Sequence, residues 1–146
     1  MIAIDTNILV YAHRADSPHH EKASAALAAC AQSRLAWCIP WPCIHEFFAV
    51  VTHLRTYSPP TPPKKALDQI NAWLESPSLI LLAETATHWP TLQALLANAK
   101  TIGPAVHDAR IAALCLSHGV RELWSADRDF RRFSELKVVD PLGAKT

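Results

Sequence analysis

Four short segments bring carboxylates into apolar surroundings. Asp5 follows Met1-Ile2-Ala3-Ile4 and precedes Thr6-Asn7, and Glu46 lies in Cys43-Ile44-His45-Glu46-Phe47-Phe48. Asp108 lies in Val106-His107-Asp108-Ala109-Arg110, and Asp127 and Asp129 share Ser125-Ala126-Asp127-Arg128-Asp129-Phe130. Each has an ordinary explanation when taken alone. Asp5, Thr6, Asn7 and Ser125 suit helix caps, Glu46 and Asp108 complement the positive start of a helix, and Asp127-Arg128-Asp129 suits a turn. Together they suggest chemistry. Two carboxylates about 4 Å apart repel by roughly 4 kcal/mol at an effective dielectric near 20. A fold that gathers four of them must let them share protons or bind cations. An all-oxygen donor set suits Mg²⁺ or Mn²⁺, and such ions polarise a phosphodiester, activate water and stabilise the leaving oxygen. On this reading Asp5 is a metal ligand and not a cap, provided the segments converge.

Convergence needs a scaffold, and the rest of the sequence supplies one. Short apolar runs predict strands at residues 2–4, 35–39, 79–83, 122–124 and 137–139. Longer patterns between them predict helices at 17–32, 42–55, 63–74, 87–99 and 104–118. The last carries Ala109, Ala112, Ala113 and Leu116 at helical steps and ends at His118-Gly119. Alternating strands and helices predict an α/β domain with a mainly parallel sheet and helices on both faces. In such folds ligands collect beyond the carboxyl ends of the strands. Asp5 and Asp127 fall at strand ends, and Glu46 and Asp108 near helix starts.

Composition narrows the class. A chain of 146 residues, half apolar and 18% charged, is read as one globular domain spanning 1–146. The net charge of +1 gives no general attraction to nucleic acid, so such a partner must be held by a local patch or through metal ions. With no membrane-length apolar stretch and no signal-peptide pattern, the expected location is the cytoplasm and no membrane partner is expected. Cys30, Cys38, Cys43 and Cys115 lack C-x-x-C spacing and read as buried thiols. Tyr57-Ser58-Pro59-Pro60-Thr61-Pro62-Pro63 reads as a loop between helices. Phe47, Val50 and Val51 read as core, with Phe48 left open.

The opening Met1-Ile2-Ala3-Ile4-Asp5-Thr6-Asn7, with Ser17-Pro18-His19-His20, Ile44-His45-Glu46-Phe47, His107-Asp108-Ala109-Arg110-Ile111 and Ser125-Ala126-Asp127-Arg128-Asp129-Phe130, resembles PIN-domain ribonucleases, especially VapC toxins of bacterial type II toxin–antitoxin systems. The resemblance implies a PIN-like three-layer α/β/α fold around a mainly parallel sheet of about five strands. It implies a Mg²⁺-dependent endoribonuclease, with Mn²⁺ as a substitute, that hydrolyses RNA as the toxin of a VapBC system. Asp5 and Asp108 would be the principal ligands, with Glu46 and Asp127 completing the pocket. Thr6, Asn7 and Ser125 would orient the carboxylates or the water. Between Asp127 and Asp129 the fourth acid stays open, with Asp127 preferred as nearer the strand end. The implied partners are RNA, a VapB-type antitoxin whose tail lies among the N-terminal helices, and a second copy of the chain.

Arg110 and Arg128, with Arg131 and Arg132, lie beside the acids and are candidates for phosphate contacts or a solvated basic face. The tryptophans read mostly as core or interface. Rival readings are a PIN-like nuclease acting in RNA processing or on DNA, a phosphotransferase with Asp5 as nucleophile, and a binding module that has lost catalysis. For the phosphotransferase, Asn7 stands where a second acid is wanted.

Overall fold

The computed structural model describes residues 1–143. Five strands form one sheet: β1 (Ile2–Ile4), β2 (Trp37–Pro40), β3 (Leu79–Leu82), β4 (Glu122–Trp124) and β5 (Lys137–Val139). The order is β3-β2-β1-β4-β5, and every neighbouring pair is parallel. The helices are α1 (Thr6–His13), α2 (His20–Gln32), α3 (Trp41–Val51), α4 (Pro63–Leu74), α5 (His88–Asn98) and α6 (Val106–Ser117). Short 3-10 turns cover Gly103–Ala105 and Arg128–Arg132.

The chain steps from β1 to β2 to β3, then crosses back over the sheet to β4. Parallel crossovers are right-handed, so α1–α4 cover one face and α5 and α6 the other. The packing agrees: α1 touches α2 and α3, α3 touches α4, and α5 touches α6. This is the expected three-layer α/β/α arrangement. The sheet is wholly parallel, and its interior strand β2 is buried at every residue, as a strand covered on both faces should be.

Several boundaries differ from those the sequence suggests. α1 was not expected, because Ile8, Leu9 and Val10 are all buried and the run shows no one-sided stripe. The helix expected from residue 17 starts at His20, after a turn in which the His19 amide donates to Ser17 Oγ at 3.1 Å. The helix expected to reach residue 55 ends at Val51, where Thr52 Oγ1 donates back to the Phe48 carbonyl at 2.7 Å. The stop after α6 is as expected. Gly119 adopts φ +73°, and the Val120 amide reaches the Cys115 carbonyl at 2.9 Å, closing the helix with a left-handed residue.

The core holds Ile4, Ile8, Leu9, Ile39, Leu114 and Leu123 with Phe47, Phe130 and Phe133. All four cysteines are free and buried. Trp37 is buried, whereas Trp89 is 60% exposed. Phe48 packs partly buried against the core. Phe47 meets Trp73 edge-on at 4.7 Å and His13 at 5.2 Å, tying α3 to α4 and α1. Truncation there leaves a cavity beneath the helix that carries Glu46. Phe47→Ala is expected to cost about 3–5 kcal/mol, read as a lower urea midpoint with an unchanged slope.

Candidate metal centre

The sheet reverses its winding between β1 and β4. The connection leaving β1 runs toward β2, while that leaving β4 runs toward β5. A crevice opens at such a point beyond the strand ends. Asp5 follows β1 and Ser125 follows β4, so both stand at its mouth. The Asp5 amide bonds the Trp124 carbonyl at 3.0 Å and the Ser125 amide bonds the Val139 carbonyl at 2.9 Å, extending the sheet ladder to the site. α3 brings Glu46 in its second turn and α6 brings Asp108 in its first.

A cleft of about 210 Å³ lies here, and Asp5, Glu46, Asp108 and Asp127 all line it. Thr6 and Asn7 border it as well. The four acids read from the sequence are thus brought together. Their convergence departs from the explanations each has alone. Asp5 occupies the N-cap position of α1, yet its side chain makes no capping bond. Its Oδ2 accepts from Ser125 Oγ at 2.7 Å and its Oδ1 from the Cys43 thiol at 3.7 Å. Thr6 Oγ1 donates to Glu46 Oε2 at 3.0 Å, fixing a carboxylate from another helix.

Asn7 and Ser125 serve as the clip between the two halves of the crevice. Asn7 Nδ2 donates to Ser125 Oγ at 3.3 Å, and Asn7 Oδ1 accepts from the Ala126 amide at 3.3 Å. Ser125 Oγ also accepts from the Asp127 amide at 3.0 Å. Asp127 Oδ1 in turn caps the following 3-10 turn by accepting from the Asp129 amide at 2.9 Å. That turn folds Asp129 back beside Asp127. Asp108, Asp127 and Asp129 can each present an oxygen within 4.8 Å of the others. Asp127 lines the cleft, while Asp129 is exposed beside it. Both acids of the D-x-D therefore face Asp108, an outcome the sequence left open as a choice.

The electrostatics follow from this crowding. Burial, helped by the nearby charges of Glu46 and Asp108, raises the Asp5 pKa to about 6, although the Ser125 hydroxyl pulls the other way. Asp108 is also raised, by burial first and then by Asp127 and Asp129. Burial holds the Cys43 thiol far above its ordinary range, so it stays a neutral donor to Asp5. The clustered donors are all carboxylate oxygens, with no thiolate or imidazole among them. That set fits a hard divalent cation and disfavours zinc.

The basic candidates sit outside this cleft. Arg110 Nη2 pairs with Glu84 Oε1 at 3.2 Å and borders a neighbouring pocket with His45, Glu46 and His107. Arg128 and Arg131 border another pocket shared with Ser125 and Asp127. Sequence reading missed the aromatic end of the cleft, formed by Tyr11 and Tyr57 with Val10, Val50 and Ile111. Their signal was weak, since isolated tyrosines in a helix and a proline-rich loop carry no pattern.

A family model for the PIN domain matches residues 2–136. Ribonuclease VapC43 of Mycobacterium tuberculosis is 34% identical over 146 residues, covering 100% of this chain and 99% of its own. Ribonuclease VapC48 of the same organism is 31% identical over 137 residues, 94% of each chain. Among solved structures, VapBC2 from Rickettsia felis, bound to a DNA fragment from its promoter, matches with a TM-score of 0.69 at 20% identity over 95% of this chain and 98% of that chain. VapC20 from Mycobacterium tuberculosis, a sarcin–ricin-loop-cleaving toxin, matches with a TM-score of 0.67 at 15% identity, covering 90% of this chain and 93% of that one. At these identities the solved structures speak for the fold alone.

Proposed function

The chain belongs to the PIN-domain family, and from that premise we propose that it is a Mg²⁺-dependent endoribonuclease, the toxin of a VapBC-type toxin–antitoxin pair. The carrying observation is the single cleft lined by Asp5, Glu46, Asp108 and Asp127 at the switch point of the sheet. Asp5 and Asp108 would hold the cation, Glu46 and Asp127 would complete its oxygen shell, and the exposed Asp129 would support that shell from outside the cleft. When bound, Mg²⁺ or Mn²⁺ supplies Lewis acidity toward the phosphodiester and the attacking water.

The protein's own residues set up that chemistry. Ser125 and Cys43 each donate to one Asp5 oxygen and so fix the carboxylate plane. Thr6 holds Glu46 in place across helices. Asn7 locks the loop after β4, which carries Ser125 and Asp127. That use of Asn7 argues against a phosphotransferase, since the position serves as a structural clip. Thr6→Val is expected to lower cleavage about tenfold, as loss of an outer-shell orienting bond typically does. The cost to stability is about 1 kcal/mol, and a raised Mg²⁺ requirement would mark the loss as one of orientation.

The proposed partners are RNA, a VapB-type antitoxin and a second copy of the chain. No helix among the described residues is long and apolar enough to cross a membrane; the cytoplasm is the proposed location. The test is a substrate panel of single-stranded RNA, structured RNA and DNA with Mg²⁺, together with expression alone and with any small reading frame encoded beside its gene. Internal RNA cuts, intact DNA and growth arrest relieved by the neighbour are expected. Cleavage of DNA in preference to RNA would overturn the substrate, and arrest that the neighbour leaves unrelieved would overturn the pairing.

A further inference from the structure

The cleft has two chemically different ends. Beyond the carboxylates it is walled by Tyr11 from α1 and Tyr57 from the loop after α3, with Val10, Val50 and Ile111 between. Neither tyrosine touches the acid network through any hydrogen bond recorded among the described side chains. The cation chemistry therefore leaves them unused.

Tyr57 is held in position. The Arg14 guanidinium lies 4.3 Å from the centre of its ring, and Arg14 is itself tied down. It pairs with Asp16 at 2.6 Å and donates to the Pro59 carbonyl at 3.0 Å and to Thr61 Oγ1 at 3.3 Å. Its side chain is only 11% exposed. Arg14 borders a separate pocket with the proline-rich loop, and it does not line the cleft. One side of the Tyr57 ring is thus covered by a cation while the residue still walls the cleft. Burial, helped by Tyr11, raises the Tyr57 pKa, and both tyrosines line the same cleft. Tyr11 is braced in turn by His19, whose ring centre is 5.0 Å away.

An aromatic wall backed by a guanidinium and opening onto a phosphate-directed metal site matches a nucleotide, which carries a flat π-face next to its phosphate. From this we infer that Tyr11 and Tyr57 form a stacking subsite for a base flanking the cut phosphodiester. The inference rests on the nuclease reading and adds a positioning element to it. Stacking needs an unpaired base, so the subsite selects single-stranded segments. It accepts any base by stacking, so it fixes position more than sequence.

A short single-stranded oligoribonucleotide cut by the wild-type protein tests this, with versions made abasic on either side of the mapped cut. Tyr57→Ala should lower kcat/KM on the full oligonucleotide by about 5- to 150-fold, mainly through KM. Tyr57→Phe should keep wild-type behaviour, whereas Tyr57→Leu should behave like the alanine variant. On one of the abasic versions the alanine substitution should cost less than about twofold, because the stacking partner is already gone. Tyr11→Ala should follow the same pattern. Equal losses on full and abasic RNA, or a leucine variant as good as phenylalanine, would overturn the inference. So would unchanged RNA kinetics with weakened inhibition by a protein partner. Anisotropy of labelled oligonucleotides carrying one abasic site at each position in turn, in Mg²⁺, gives the same cycle without turnover or a mapped cut. A protein that binds but never cuts would thus fail the nuclease reading and still answer this question.

Discussion

Asp5→Asn is expected to abolish RNA cleavage and, in metal-free buffer near neutral pH, to make the protein more stable. The two effects share one cause. Asp5 is 5% exposed, and its carboxyl titrates near 6 in place of the ordinary 3.8. The folded protein therefore binds this proton more tightly than the unfolded chain. Below about pH 4 both states are protonated and the contribution to stability is fully present. As pH rises the unfolded chain ionises first, and the contribution is lost by the time pH passes about 6. A shift of this size corresponds to roughly 3 kcal/mol at full effect. Asn cannot ionise and still offers an oxygen to Ser125, so it escapes the penalty. In EDTA, urea melts at pH 4.5 and 7.5 should show wild type losing stability with rising pH and the variant losing less, by about 1–3 kcal/mol. Cleavage should fall by on the order of 10²–10³ or more, given the several kcal/mol a cation contributes at a phosphodiester. A variant that cuts RNA normally, or that melts with the wild-type pH dependence, would remove Asp5 from the centre.

The second large effect is expected at Asp108. Burial, reinforced by the charges of Asp127 and Asp129, raises the pKa of its carboxyl, so in metal-free protein it holds its proton more tightly than an exposed aspartate. Asp108→Asn removes a ligand from the three-carboxylate cluster and should cost on the order of 10²–10³ in cleavage. It should also weaken Mn²⁺ binding, measured by calorimetry or by electron paramagnetic resonance of the free ion. Asp129→Asn is the informative contrast. Asp129 is exposed and does not line the cleft, so its loss should cost about tenfold, the low end of what an outer-shell residue contributes. If Asp129→Asn proved as damaging as Asp108→Asn, the exposed acid would have to be a direct ligand.

Much of the scaffold could be read from local signals. β1, β4, β5 and the helix Pro63–Leu74 occur at the predicted residues, because Asp5, Ser125 and Asp140-Pro141 stop the strands and Pro62-Pro63 starts the helix. α1 was hidden because burial on several sides erases the stripe by which a helix is recognised. The 3-10 turn at Arg128–Arg132 was hidden because a single turn is too short to show a period.

The same division holds for the site. The residue types, their order along the chain and their places at strand ends and helix starts were legible, and so was the demand of gathered carboxylates for a hard cation. The sequence could not say that β4 lies beside β1, and that adjacency decides the rest. It sets Ser125 against Asp5 across 120 residues and against Asn7 across 118, turning apparent caps into a clip and a ligand support. It also turned the choice between Asp127 and Asp129 into a pair facing Asp108. Local sequence dictates elements because backbone preferences act within a few residues. Which strands become neighbours is settled by long crossover connections and by burial of the whole sheet, terms that no short stretch contains.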